Sequence, residues 1–358
     1  MNAARSGFRR RSVAGVAVAA TILGVLAAEL LVRWFAPQSP PDMFTADPKT
    51  GFRLTANYRG EDVSGTAPIP LAFNSWGLRD RELETIHTAR LRMYVLGDSF
   101  VFGHGVAAED TFAKVLERAL RTRPGFADVE VINGGVPRYG TLQEVELFGE
   151  TVDLVKPDLV LLGVYVGNDV LDNVDFAERR TGAGRSGLVE WMRVRSQLYM
   201  WLRRQRHAAG DRMNHLQHAA MRTHATRPTA DVVRGLEMTE DAIASLARDV
   251  AGRGMQFGIV LIPSADQVHA ERWRAVLGRY ALSAAEYDPA EPNRRFVRFG
   301  AEQGIPVLDL LPVLQARQDE ELYFALHWNP RGHALSAQAA AEFVVREYAA
   351  QAKPSEMN

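Results

Sequence analysis

The chain has 358 residues, 47% hydrophobic and 24% charged, an ordinary globular composition with room for one large domain and attachments. Its formal net charge of -1 gives no global electrostatic argument for a nucleic-acid partner. It has no cysteine, which excludes disulfides, thiolate zinc sites and a thiol nucleophile.

In chain order, a basic tail over residues 1–11, with Arg5, Arg9, Arg10 and Arg11, precedes the uncharged run "SVAGVAVAATILGVLAA". That run continues past Glu29 to Trp34, so residues 12–34 predict a transmembrane helix of about 30 Å. The apolar region of a cleaved signal peptide is shorter, roughly 7–15 residues, and no small-x-small site follows here, so an uncleaved anchor is expected. The arginines predict a cytoplasmic N-terminus and export of everything after Trp34. Glu29 reads as a side chain that reaches the interface, with no further role. Residues 35–90 read as a tether and lead-in segment, beginning with the Pro-rich "APQSPPDMFTADPKTG" and containing "FNSWGLRDRE" as a strand and loop.

From residue 91 the pattern becomes strand and helix in alternation. The apolar runs "LRMYVLGD", "VEVINGG" (129–135), "DLVLLGVYVGND" (158–169), "FGIVLIP" (257–263) and "IPVLDLL" (305–311) predict five buried strands. Helices are expected over 109–123, 141–155, 232–252, 294–303 and 332–349, the first with Phe112, Val115, Leu116, Ala119 and Leu120 on one face. Continuous apolar strands in this order predict an α/β domain over 91–350, a doubly wound, flavodoxin-like five-stranded parallel sheet. A helical insertion is expected at about 172–230 and a tail at 351–358. In the insertion Leu188, Trp191, Met192, Leu198, Tyr199 and Leu202 share one helix face. Arg193, Arg203, Arg204 and Arg206 lie elsewhere, which suits either a packed cap or a surface for anionic lipid or acidic glycan.

Ligand sites in such sheets lie beyond the carboxyl ends of the strands. There stand Ser99 in Gly97-Asp98-Ser99-Phe100, Asn133 to Gly135, Gly167-Asn168-Asp169, and "LHWNPRGH" before the last helix. Ser99 is expected to cap the next helix and to act as nucleophile. A serine hydroxyl needs a base to take its proton, and His327 is the best-placed imidazole.

These four blocks resemble the SGNH (GDSL-type) hydrolase family over about residues 91–350. The resemblance implies that Ser99 is the nucleophile and His327 the base, with an oxyanion hole from the backbone N–H groups of Ser99 and Gly135 and the Asn168 amide. The anchor, "FNSWGLRD", "GDSFVFGHGV" and "VLIPSADQV" together are similar to a bacterial envelope subset, some of whose relatives modify exopolysaccharides such as alginate. That implies a single-pass protein of the inner membrane with a periplasmic catalytic domain and envelope biosynthesis partners. The family usually has an aspartate two or three residues before the histidine, where Ala325 and Phe324 stand here. Asp309, Asp319, Glu320 or Glu321 is then expected to orient His327, or the site works as a dyad.

Other histidines read as structural. His333 is expected to brace the last helix, His104 to line the cleft near Ser99, and His207, His215, His218 and His224 to lie on solvated surface. No cofactor or metal motif is present in the pattern. The expected function is hydrolysis of an acyl ester through acyl-Ser99, the ester being an O-acyl group on a cell-envelope saccharide. The alternatives are an O-acetyltransferase using the same residues and a glycan-binding or assembly protein with a decayed site.

Overall fold

The computed structural model describes residues 2–36, 43–83, 91–180, 192, 195–207, 217–324 and 326–348. Helix α1 (Asn2–Phe35) comes first, and its stretch Gly15–Phe35 is 21 residues long with mean hydropathy 2.2 and its side chains turned outward. That is long and apolar enough to cross a bilayer. Two antiparallel hairpins follow, β1 (Phe44–Asp47) with β2 (Gly51–Leu54) and β3 (Arg59–Asp62) with β4 (Ile69–Ala72).

The domain then runs β5 (Leu91–Gly97), α2 (Ser99–Phe102), α3 (Phe112–Arg121), β6 (Val129–Gly135), α4 (Thr141–Val155), β7 (Leu159–Tyr165) and α5 (Asp169–Arg180). After α6 (Gln197–His207) come α7 (Ala230–Gly252), β8 (Gln256–Ile262), α8 (Ala265–Val268), α9 (Ala270–Arg279), α10 (Glu291–Gln303), β9 (Val307–Asp309), α11 (Leu311–Gln315) and α12 (Pro330–Tyr348). The sheet is parallel with order β6-β5-β7-β8-β9, the expected doubly wound arrangement. Alternate side chains go to opposite cores. Tyr94, Leu96, Leu162 and Leu261 face α4 and α7, while Met93, Val95, Leu161 and Val260 face α3 and α12. Both faces are covered, which is why the strands are continuously apolar.

Three expectations change. β9 has three residues rather than the seven of the apolar run, because Pro306 and Pro312 flank it and it pairs with β8 over Val307 to Asp309 alone. Part of the expected tether is folded: Phe44, Phe52, Leu54, Leu71 and Phe73 are buried in the same core as α4. Burying each such side chain contributes roughly 1.5–3 kcal/mol, so the hairpins belong to the domain. Glu29 has a structural role after all. Its carboxylate accepts from Gln197 N, Leu198 N and Ser196 Oγ, each at 2.8 Å, and so caps α6, while Arg33 pairs with Glu29 and donates to Arg195 O. Of the insertion's expected apolar face, Leu202 is exposed; Leu188 and Trp191, like Arg193, lie outside the described residues, as do the side chains of Arg203, Arg204 and Arg206.

The segment "GLRDRE" joins the hairpins to the domain one residue at a time. Arg79, buried, donates to the carbonyls of Phe102 (3.0 Å), Gly103 (2.5 Å) and Val106 (2.6 Å). Asp80 pairs with Lys114 at 2.6 Å and accepts from Asn133 N, and Arg81 makes a double contact with Glu117. Lysine offers no planar fork for three carbonyls. Arg79→Lys is therefore expected to destabilise the fold by about 2–4 kcal/mol, seen as a lower midpoint in denaturant unfolding.

Candidate active site

The turn between β5 and α2 is forced by close approach. Gly97 and Gly135 lie opposite each other in the β5–β6 register, and a Cβ on Gly135 would sit 2.1 Å from Phe102 N. Only glycine lets α2 rest on the end of β6. Asp98, rather than Ser99, is the cap of α2, its Oδ1 accepting from Phe100 N at 2.9 Å. That leaves the Ser99 hydroxyl available. Gly103 ends the helix at φ +85°, where an L side chain is strained.

His327 comes from the loop before α12. This loop is pinned by Phe324 N to His327 O (2.8 Å), Asn329 N to Leu322 O (3.0 Å) and Tyr323 Oη to Pro263 O (2.9 Å). Its Nε2 lies 2.9 Å from Ser99 Oγ, although the two residues are 228 positions apart. The rings of Phe100 (5.3 Å) and His104 (5.2 Å) flank the imidazole. Burial, then the neighbouring His104, push the His327 imidazole down to about 3 against the opposing pull of Asp62. At neutral pH it is an uncharged base, the state a serine nucleophile requires.

The other expected site residues divide. Asn168 follows β7, next to β5 in the sheet, and its Nδ2 donates to Asp172 Oδ2 at 2.6 Å; the second N–H of that amide is not used by this bond. The Gly135 N–H donates to Asn133 Oδ1 at 2.9 Å, and the same glycine makes the room in which α2 packs. The acids proposed to orient His327 do not reach it. Asp309 Oδ1 accepts from Asn293 Nδ2 and Leu311 N, Glu320 pairs with Arg331, and Asp319 and Glu321 are exposed on the rim of a neighbouring cleft. Phe324, at the position of the usual acid, packs over Gly105 instead.

The structure adds Asp62, which sequence reasoning missed, beside His104. Asp62 lies buried at the end of β3 and accepts from Gly105 N (3.0 Å), Ser64 N (2.8 Å), Ser64 Oγ and His104 Nδ1 (3.1 Å). Burial alone would raise its carboxyl, but these donors hold it far below the ordinary range. The sequence carries an Asp-x-Ser-Gly turn signal there, yet nothing in it points 42 positions onward to His104. His333 and His224 are buried rather than at the site, and burial lowers them to about 3 and about 4. His218 rests against Tyr280, while His215 and the side chain of His207 lie outside the described residues.

Behind the site, buried Asp98, Glu144 and Asp169 and half-buried Asp172 form an acidic group. Burial raises Asp98 to about 6 and Asp172 to about 7, and raises Glu144 and Asp169 well above the carboxylate range. Both Glu144 carboxyl oxygens are without a hydrogen-bond partner among the described residues. On the other side a cleft of about 940 Å³ is lined by Ser64, Thr66, His269, Gln318 and Phe324, with Glu271, Asp319 and Glu321 also along its lining.

Residues 95–335 match the model of the GDSL-like Lipase/Acylhydrolase family. No curated protein matches the chain. Among solved structures, a lipolytic protein of the G-D-S-L family from Desulfitobacterium hafniense DCB-2 is 15% identical, with TM-score 0.40, covering 70% of this chain and 98% of that one. A lipase/acylhydrolase from Enterococcus faecalis is 16% identical, with TM-score 0.40, covering 73% and 96%. An acetylxylan esterase from Geobacillus stearothermophilus is 13% identical, with TM-score 0.41, covering 72% and 94%.

A carboxyl raised on folding contributes stability below its unfolded pKa, about 4.3 for Glu, and loses it as pH rises towards the folded value. Glu144→Gln removes that loss. Thermal melts should show no effect of this substitution at pH 4 and stabilisation of about 1–3 kcal/mol at pH 8.

Proposed function

The chain belongs to the GDSL-like lipase/acylhydrolase family, and on that premise we propose that it is a serine esterase that removes a small acyl group from a saccharide. The observation that carries this reading is the 2.9 Å contact between Ser99 Oγ and His327 Nε2 at the carboxyl end of the sheet. Neutral His327 takes the hydroxyl proton as Ser99 Oγ attacks the ester carbonyl. The tetrahedral oxyanion is met by the free N–H of Asn168 and the backbone of Ser99, donors that typically contribute a few kcal/mol each. His327 then gives its proton to the departing sugar oxygen, leaving acyl-Ser99. Water, deprotonated by the same imidazole, releases the carboxylic acid and restores the serine.

Polar groups along the adjacent cleft support a saccharide carrier over a long acyl chain. Glu271, Asp319 and Glu321 have no ion-pair partner among the described residues, while Arg272 pairs with Asp266. That charge balance favours a neutral or amino sugar over a polyuronate. The setting is an inner membrane, with α1 as a retained anchor and the domain on the periplasmic side. Support comes from Glu29, whose grip on α6 a cleaved leader would forfeit.

The test is turnover of p-nitrophenyl acetate by the detergent-solubilised chain. Activity is expected, falling at least about 10³-fold in Ser99→Ala and in His327→Ala. The acid limb of kcat/KM, which reports the free enzyme's base, should lie well below the ordinary imidazole value of about 6.5. No turnover by the folded protein, with or without an oligosaccharide acceptor, would favour a binding protein; release only with the acceptor would favour acyl transfer.

A further inference from the structure

Among the described residues no acid meets the imidazole of the Ser99–His327 pair, while one ring away His104 holds an acid of its own, Asp62. We propose that Asp62 and His104 are positioning residues for His327, supplying from the β3–β4 hairpin the negative charge that the histidine loop lacks at Phe324. The proposal rests on the esterase reading above.

The hydrogen-bond network fixes the tautomer. Asp62 as a carboxylate can only accept, and the Ser64 hydroxyl hydrogen is committed to it, so His104 Nδ1 carries a hydrogen and points it at Asp62 and Ser64 Oγ (3.1 and 3.2 Å). The Asp62 carboxylate is thereby tied to a ring that lies 5.2 Å from the His327 ring. When Ser99 gives up its proton, His327 becomes an imidazolium inside a half-buried site. A carboxylate held one ring away stabilises that cation, and Coulomb attraction at this depth is far less screened than in water. The ring contact also limits rotation of His327, as does the Phe100 ring at 5.3 Å.

The pair is locked in place. A Cβ on Gly65 would fall 2.5 Å from Gly105 O, so the hairpin loop and the His104 loop touch backbone to backbone, and Phe324 closes over Gly105. Arg79 clamps the Phe102, Gly103 and Val106 carbonyls on either side of His104. The other charged or titratable groups facing this region are Asp98 at the cap of α2, Arg79 behind Phe102 and His333 of α12. Among these, Asp98 touches Ser99 Oγ at 3.3 Å rather than His327. Asp62 is the buried anion aligned with the histidine.

The experiment compares full-length wild type, Asp62→Asn, His104→Gln and a surface control on α10, Glu302→Gln, in detergent. Readouts are p-nitrophenyl acetate kinetics per phosphonate-titratable Ser99 and the rate of that phosphonate labelling. Asp62→Asn keeps an acceptor for Gly105 N, and His104→Gln leaves the other three bonds of Asp62 intact, so at least one variant should fold. We expect kcat per titratable site to fall about 10- to 100-fold in both, with KM within about twofold and labelling slowed in parallel. In Asp62→Asn the acid limb of kcat/KM should move to lower pH, because His327 loses the charge that favours its protonation. Glu302→Gln should match wild type. Unchanged kcat and an unmoved acid limb per titratable site would overturn the role while leaving the esterase reading standing. A wild type that neither turns over nor labels would overturn both.

Discussion

The site depends on one hydrogen bond, Ser99 Oγ to His327 Nε2, formed between the β5–α2 turn and the loop before the last helix. Nothing local in the chain brings these groups together. The parallel sheet does so, because β5 sits between β6 and β7 and all strand ends open on one side. Gly135 allows α2 to settle on β6, Arg79 clamps the loop beyond it, and Tyr323 anchors the histidine loop to Pro263. Each of these supports positions an atom of the pair to within the short reach that proton transfer demands.

The electrostatics of the site come from what is kept uncharged. His327, His333 and His224 are held neutral by burial, so as pH falls from the ordinary imidazole range towards about 3 to 4 the folded state resists protons that the unfolded chain accepts, and stability declines. The acids behind Ser99 act with the opposite sign, costing stability as pH rises. Asp62 differs from both sets. It is buried and still ionised because four donors converge on it. An anion maintained at that expense one ring from His327 suits the proposed imidazolium-forming reaction better than it suits simple packing.

Much of this was legible in the sequence, and the parts that were not share a cause. The five apolar runs gave the sheet, and glycines and polar residues at their ends marked Ser99, Asn168 and His327, because both signals are local. Sequence proximity favours the acids near His327 as its orienting group, yet Asp309 caps a turn and Glu320 pairs with Arg331. Asp62 sits 265 residue numbers earlier, at the end of "RGED", a strand too short and polar to stand out from a tether. Glu29 shows the same limit: a lone acid near the end of an apolar helix carries no mark of the helix start, 167 positions on, that it caps. Contacts between distant segments leave no periodicity to read.

The most direct test of the central claim is acid-quenched mass spectrometry of the full-length chain mixed with p-nitrophenyl acetate. One acetyl group is expected on the peptide containing Ser99, accumulating further when deacylation is slowed and absent in His327→Ala. A folded wild-type chain that releases nitrophenol with no acetyl on Ser99, or with acetyl on another residue, would contradict it.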